Sequence, residues 1–197
     1  DSSYTDFHLH LLPGVDDGSP ALQETFSMVR GLMELGFGTF VCTPHQKEGS
    51  INPSLASVQE VYNVVVEEVQ ERFPSARLLL GAENFYDSQL SRRLDAHEVP
   101  TIAGSDVFLL EFPPSIEEKP FRTALFRVQT EGYIPINASA KASPIGPTVV
   151  EPSICRIVAS APSEIPAIPN IRMDTRNIFF IFYSLSCVFF FLFKSIL

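Results

Sequence analysis

From residue 4 to residue 138 the sequence alternates short apolar segments with segments of helical periodicity. The apolar segments are predicted strands, and they cover residues 4–10, 39–43, 77–83, 106–112 and 133–138. Between them lie predicted helices. One begins with Ser19 as its N-cap and Pro20 at its first helical position. The clearest begins at Asn52-Pro53, and its apolar face consists of Leu55, Val58, Tyr62, Val65, Val69 and Phe73. Repeated strand–helix units with right-handed crossovers form a parallel sheet, either open or closed into a barrel. The chain is therefore predicted to have an α/β fold.

Histidines and carboxylates fall at the ends of these predicted strands. His8 and His10 lie two residues apart, so they project from the same face of the first strand. His45 follows the second strand, Glu83 ends the third, and Glu111 lies near the end of the fourth. The carboxyl ends of parallel strands gather on one rim, where these five side chains can converge. Imidazole and carboxylate ligands without a nearby cysteine suit Mn, Fe or Zn.

Each of these residues also has a purely structural interpretation. An isolated histidine is usually solvated or hydrogen-bonded, and Asp16-Asp17-Gly18 is also typical of a turn before a helix. Glu111 is harder to explain in this way, because a carboxylate inside an apolar strand is costly unless a cation or hydrogen-bond donors compensate it. Cys42 is expected to point away from the rim, into the core.

Charge and cysteine content exclude some functions. The formal net charge is −9 and basic residues do not cluster, so binding to nucleic acid is not expected. The three cysteines are far apart in the sequence, which argues against a disulfide framework and for a reducing compartment. No signal-peptide pattern opens the sequence, and we expect a cytoplasmic protein.

The sequence changes character after residue 138. Prolines become frequent, and residues 178–193 form an apolar run interrupted only by Ser184 and Ser186. This run is shorter than the ~20 apolar residues of a membrane-spanning helix. We therefore divide the chain into residues 1–138 and a divergent tail, 139–197. The tail has three open interpretations: a shifted reading frame, a disordered segment, or a membrane-associated anchor.

Several motifs of the first segment occur in an order that resembles a known family. They are DFHLHLLPGVDDGS (6–19), CTPHQ (42–46), GAEN (81–84), LLEFPP (109–114) and GYIPI (132–136). Together they resemble the manganese-dependent tyrosine-protein phosphatases of the PHP superfamily, the CpsB/CapC type of bacterial exopolysaccharide operons. The resemblance covers about residues 4 to 138.

The resemblance implies both a fold and an activity. The fold is a distorted, TIM-like (β/α)7 PHP barrel, here incomplete after the fifth strand, with two or three Mn²⁺ ions at its rim. The activity is hydrolysis of phosphotyrosine on the tyrosine autokinase that regulates exopolysaccharide and capsule synthesis. Family members often associate, so an oligomer is also expected.

The resemblance also assigns roles to residues of this chain. The paired histidines match the first metal position, Asp17 matches the acidic residue of the DDG turn and is the candidate catalytic acid, and the others match further ligand positions. The implied metal ligands are His8, His10, Asp17, His45, Glu83 and Glu111.

The chain departs from the family pattern near residue 138. Ser139 stands where the family has the histidine of an AHPER motif, the arginine of that motif is absent, and no SDAH-like motif follows. His97 lies too early in the sequence to stand for the histidine of the SDAH-like motif. We therefore expect fewer ions than in the family, with one held tightly by His8, His10 and Glu111, and weak or no activity. The alternatives are a PHP phosphoesterase acting on a small phosphomonoester such as histidinol phosphate, and a non-catalytic, incompletely encoded binding protein.

Overall fold

The computed structural model describes residues 4–49 and 53–138, together with the backbone of two strands nearer the C-terminus. The helices are α1 (Leu22–Glu34), α2 (Leu55–Arg72), α3 (Leu90–Asp95) and α4 (Glu118–Thr130), and a short 3₁₀ helix covers Ile102–Gly104. The strands are β1 (Tyr4–Leu9), β2 (Phe37–Cys42), β3 (His45–Gln46), β4 (Arg77–Leu80), β5 (Glu83–Phe85), β6 (Val107–Glu111), β7 (Ile134–Asn137), β8 (Ile178–Ile181) and β9 (Phe190–Lys194). The prediction for Ser139 lies outside the described residues, and of the tail 139–197 only the backbone of β8 and β9 is described.

The strands form two sheets. In the first, ordered β4-β2-β1-β9-β8, the strands β1, β2 and β4 are parallel, whereas β9 runs antiparallel to β1 and to β8. In the second, ordered β3-β5-β6-β7, all neighbours are parallel. The α/β class with parallel sheets is therefore confirmed. The described strands pair in two separate sheets, not in the single ring that a barrel predicts.

The segment predicted as one strand over residues 77–83 is divided between the two sheets. β4 ends at Leu80, and β5 begins at Glu83. Gly81 N donates to Cys42 O beside the first sheet, and Glu83 N donates to Pro44 O beside the second. A Cβ on Gly81 would lie 3.2 Å from Ile102 Cγ1, so glycine suits this close passage. The chain thus changes sheet at Gly81-Ala82, and Glu83 is the first residue of β5.

Two predicted helix starts differ from the structure. The N-cap of α1 is Ala21, and Ser19 does not cap the helix, because its Oγ donates to Ala21 O and contacts the buried Thr25 Oγ1 at 2.8 Å. The N-cap of α2 is Ser54, whose side chain accepts a hydrogen bond from Ser57 N. The predicted start at Asn52-Pro53 was therefore too early by two residues.

The core lies between the sheets and the helices. Val58, Val65 and Val69 of α2 are buried, in agreement with the predicted apolar face, whereas Leu55 at the start of that face is exposed. Cys42 is fully buried, as predicted, and burial raises the pKa of its thiol. None of the helices in the described part of the chain has the length and apolar character that crossing a bilayer requires.

Candidate metal centre

The end of β1 and the loop after it build the first part of the site. His8 N donates to Asp6 Oδ1 at 3.1 Å, and the rings of His8 and His10 face the same side, with their Nε2 atoms 3.2 Å apart. The loop then folds back, since Ser19 N donates to His10 O at 3.0 Å. Gly18 packs directly on His10, because a Cβ built on it would lie 2.3 Å from His10 Cβ. The loop that carries the DDG sequence therefore packs closely against His10.

Glu83 is the carboxylate that the three histidines share. Its Oε1 lies 3.1 Å from His8 Nε2, and its Oε2 lies 3.4 Å from His10 Nε2 and 2.9 Å from His45 Nδ1. The Glu83 side chain is only 4% exposed. His8 and His10 come from the first sheet or its end, whereas His45 and Glu83 belong to the second sheet. The candidate ligands thus meet where the two sheets come together.

Glu111 and Asp17 complete the cluster from its more open side. Glu111 Oε2 lies 3.7 Å from His45 Nδ1, and Asp17 Oδ1 lies 3.3 Å from His45 Nε2. The side chain of Asp17 is 68% exposed, and that of Glu111 is 26% exposed. All six candidate residues of the sequence analysis are therefore close together in the structure.

Three groups of these residues have ligand atoms within 4.8 Å of one another. They are His8/His10/Glu83, His10/Asp17/His45 and His45/Glu83/Glu111. The predicted ligand group His8, His10 and Glu111 does not match these groups. Glu83 takes the place of Glu111 beside His8 and His10, and Glu111 groups with His45 and Glu83.

The charges of the cluster are strongly coupled. Burial alone would lower the pKa of His10, but the hydrogen bond to Asp16 and the nearby carboxylate of Glu83 outweigh it and raise the pKa to about 10. Burial alone would raise the pKa of Glu83, but the neighbouring histidines hold it well below its ordinary value. Burial, followed by repulsion from Glu83, raises the pKa of Glu111. The site is thus a network of closely coupled imidazole and carboxylate groups, and neutral imidazole with carboxylate is the donor set of an Mn, Fe or Zn site.

Several buried polar atoms of the cluster lack a hydrogen-bond partner. Among the described residues, these include His8 Nδ1, His45 Nδ1, Glu83 Oε2 and Glu111 Oε2. His45 Nδ1 and Glu83 Oε2 approach to 2.9 Å, but without the angles of a hydrogen bond. Unsatisfied buried polar atoms are costly. A cation held by His45, Glu83 and Glu111 would compensate three of these four atoms, all except His8 Nδ1. The residues therefore fit a metal ion by their chemistry and by their unmet bonding capacity.

Two carboxylates near the site were missed at the sequence level. Asp16, treated as part of a turn, accepts a hydrogen bond from His10 Nδ1 at 2.7 Å. Asp6 is fully buried on β1, and burial raises its pKa to about 7 despite the hydrogen bond from His8 N. The period-2 spacing Asp6, His8, His10 was the available signal for Asp6, whereas no spacing rule indicates Asp16.

The fold and the site together define an α/β protein with a histidine–carboxylate centre where a mixed sheet and a parallel sheet meet. Residues 4–141 match the family described as "Capsular polysaccharide synthesis, CpsB/CapC". The chain belongs to this family.

Curated relatives match the same part of the chain. The tyrosine-protein phosphatase CpsB of Streptococcus agalactiae is 29% identical over 133 residues, which are 68% of this chain and 55% of the relative. The tyrosine-protein phosphatase YwqE of Bacillus subtilis is 25% identical over 133 residues, which are 68% of this chain and 52% of the relative. The chain thus spans about half the length of these curated relatives.

A solved structure shares the fold. The chain matches one of the crystal structures of YwqE from Bacillus subtilis and CpsB from Streptococcus pneumoniae, which are described as unique metal-dependent tyrosine phosphatases. The match has a TM-score of 0.65 at 23% identity and covers 79% of this chain and 62% of the solved one.

Proposed function

We propose that this chain carries the ligand-rich part of a metal-dependent phosphotyrosine-protein phosphatase. The observation that carries the proposal is the position of Glu83, whose two oxygens face His8 on one side and His10 and His45 on the other. This arrangement offers two adjacent ligand groups with one carboxylate in common. Family membership and the phosphatase names of the relatives support the same activity.

A bound divalent ion supplies a water of lowered pKa and offsets charge on the phosphoryl oxygens. The residues of this chain have separate tasks around that chemistry. His8, His10, His45, Glu83 and Glu111 would hold the cation. The carboxyl of Asp17 is exposed beside His45, where it can protonate the phenolate oxygen of the leaving tyrosine. Cys42 takes no part as a nucleophile, because it is fully buried and its thiol pKa is raised.

The finer features of the proposal follow from the family resemblance. We assign Mn²⁺ as the ion, with Fe or Zn as alternatives, and fewer ions than the two or three of the family. We also propose that the two sheets belong to a distorted (β/α)7 barrel, and that residues 1–138 form its functional segment. The substrate is a phosphotyrosine protein, the tyrosine autokinase of capsule or exopolysaccharide synthesis, and the location is cytoplasmic. The proposal extends to an oligomer and, through the tail, to contact with a membrane.

The test compares one substitution at two histidines. The full chain, loaded with Mn²⁺, is assayed on a phosphotyrosine peptide, on a phosphoserine peptide and on histidinol phosphate. His8→Asn should abolish any turnover, because it removes a ligand that contacts Glu83. His97→Asn is the matched control: His97 is exposed and has a φ of 53°, which asparagine tolerates.

The outcomes separate the candidate functions. Weak turnover of phosphotyrosine that is lost in His8→Asn and kept in His97→Asn supports the phosphatase. Preference for histidinol phosphate would favour a small-molecule phosphoesterase instead. Tight Mn²⁺ binding without any turnover would favour a non-catalytic binding protein, and activity that persists in His8→Asn would contradict the proposed site.

A further inference from the structure

The carboxylate of Asp16 contacts two of the candidate ligands, His10 and His45, although it belongs to none of the three ligand groups. Its side chain is 1% exposed, in contrast to the 68% of its neighbour Asp17. Asp16 Oδ2 accepts from His10 Nδ1 at 2.7 Å and from His45 N at 3.1 Å, and Oδ1 accepts from Gly18 N at 3.0 Å. Both oxygens therefore accept hydrogen bonds from within the protein, and the side chain is closed to solvent.

The contact with His10 decides which ring nitrogen faces the site. A carboxylate only accepts hydrogen bonds, so His10 Nδ1 must carry the proton of the 2.7 Å bond. His10 Nε2 is then the atom available as a ligand, and it is the atom that lies 3.4 Å from Glu83 Oε2. A carboxylate behind a ligating histidine fixes its tautomer and ring orientation in this way.

The contact with His45 joins two separate parts of the chain. Asp16 belongs to the loop after β1, whereas His45 opens β3 in the second sheet, 29 residues further along. A residue that served only its own turn would need no more than the hydrogen bond from Gly18 N. The two additional bonds both go to histidines of the cluster.

We infer that Asp16 is a positioning residue of the metal centre, which holds His10 with Nε2 towards the ion and ties the backbone of His45 to the loop after β1. The inference rests on the proposed metal site, and it assigns the two aspartates of the DDG turn different tasks. Asp16 orients the ligands from behind, and Asp17 faces the open side.

The test measures metal affinity and the state of the His10 ring in the full chain. Mn²⁺ binding is followed by electron paramagnetic resonance of the free ion, and the Nδ1–H resonance of His10 is followed by NMR in the metal-free protein. The variants are Asp16→Asn, a neutral acceptor, and Asp16→Ala, which removes the acceptor. Thr25→Val is the matched control, because Thr25 Oγ1 is buried and donates to Leu11 O but touches none of the candidate ligands.

Asp16→Asn should weaken Mn²⁺ binding about 10- to 100-fold, the usual effect of losing such an outer partner. Thr25→Val should leave the affinity within about twofold, although it also loses a buried hydrogen bond. The downfield Nδ1–H resonance of His10 should move upfield in Asp16→Asn and disappear in Asp16→Ala. If Asp16→Ala does not fold, the shift in Asp16→Asn decides this part of the test.

Unchanged Mn²⁺ affinity in Asp16→Asn, or an equal loss in Thr25→Val, would overturn the inference. A wild-type chain that binds no Mn²⁺ would instead contradict the proposed function. In that case the ring resonance of the metal-free protein still decides whether Asp16 orients His10.

Discussion

The substitution Gly→Ala should have opposite effects at two positions of this chain. At Gly18 an added Cβ would lie 2.3 Å from His10 Cβ and 2.4 Å from His10 O, and both distances are far shorter than the 3.4 Å at which ordinary contacts begin. One of these atoms is backbone, so the loop must move. Overpacking of this kind costs about 1–3 kcal/mol. At Gly31, an exposed position within α1, a Cβ meets nothing within 4 Å. Gly31→Ala should therefore stabilise the protein by about 1 kcal/mol through helix propensity alone.

Urea unfolding of both variants measures the difference. If Gly18→Ala costs about 2 kcal/mol and Gly31→Ala gains about 1 kcal/mol, their free energies of unfolding differ by about 3 kcal/mol. With an m-value of about 2 kcal/mol per molar urea, the midpoints should lie about 1.5 M apart. Gly18→Ala should also weaken Mn²⁺ binding, because the displaced loop carries Asp16 and Asp17, whereas Gly31→Ala should not. Equal midpoints, or wild-type Mn²⁺ affinity in Gly18→Ala, would refute the close packing of this loop on His10.

Three further predictions concern the site and the core. Glu83→Gln should weaken Mn²⁺ binding more than any outer-partner substitution, by over about 100-fold, as measured by titration with the free ion; a smaller loss than in Asp16→Asn would contradict the shared role of this carboxylate. Burial lowers the pKa of His10, but the hydrogen bond to Asp16 and the carboxylate of Glu83 outweigh it and raise the pKa to about 10, so without a bound ion the His10 ring keeps its second proton at neutral pH. Since Mn²⁺ must displace this proton, its affinity should rise about tenfold per pH unit for each proton displaced. Titrations at pH 6, 7 and 8 check this sign, and a flat profile would contradict it. Phe40→Ala, at a fully buried position, should cost about 3–5 kcal/mol in chemical unfolding, whereas Phe126→Ala, 68% exposed, should change stability by no more than about 0.5 kcal/mol.

Much of the fold could be predicted from periodicity. The predicted strands at 39–43, 106–112 and 133–138 correspond to β2, β6 and β7, and the apolar face of α2 is buried at three of its residues. Periodicity reports burial, however, and not the identity of the hydrogen-bonding partner. The apolar run 77–83 therefore gave no sign that the chain changes sheet at Gly81-Ala82.

The candidate site was predictable where chemistry and spacing coincide. The side chains of His8 and His10 lie on the same side, and His45, Glu83 and Glu111 join them, because successive strand ends gather at one edge. Asp16 was not predictable, since its partner His45 N lies 29 residues away and a DDG turn looks the same with or without that bond. The helix cap predicted at Ser19 was wrong for a similar reason. Its local sequence fits a cap, but its hydroxyl bonds to Ala21 O and contacts Thr25 Oγ1.

The meeting line of the two sheets has a consequence for the lifetime of the folded chain. His8 and Glu83 belong to different hydrogen-bonded sheets, and the 3.1 Å approach of their side chains bridges them. An ion bound there would cross-link the two sheets, which are not joined by strand pairing at that place. At a free concentration one hundred times its dissociation constant, such an ion adds about 2.7 kcal/mol to stability. The supply of the metal would then govern how long the protein survives proteolysis, independently of any reaction it catalyses.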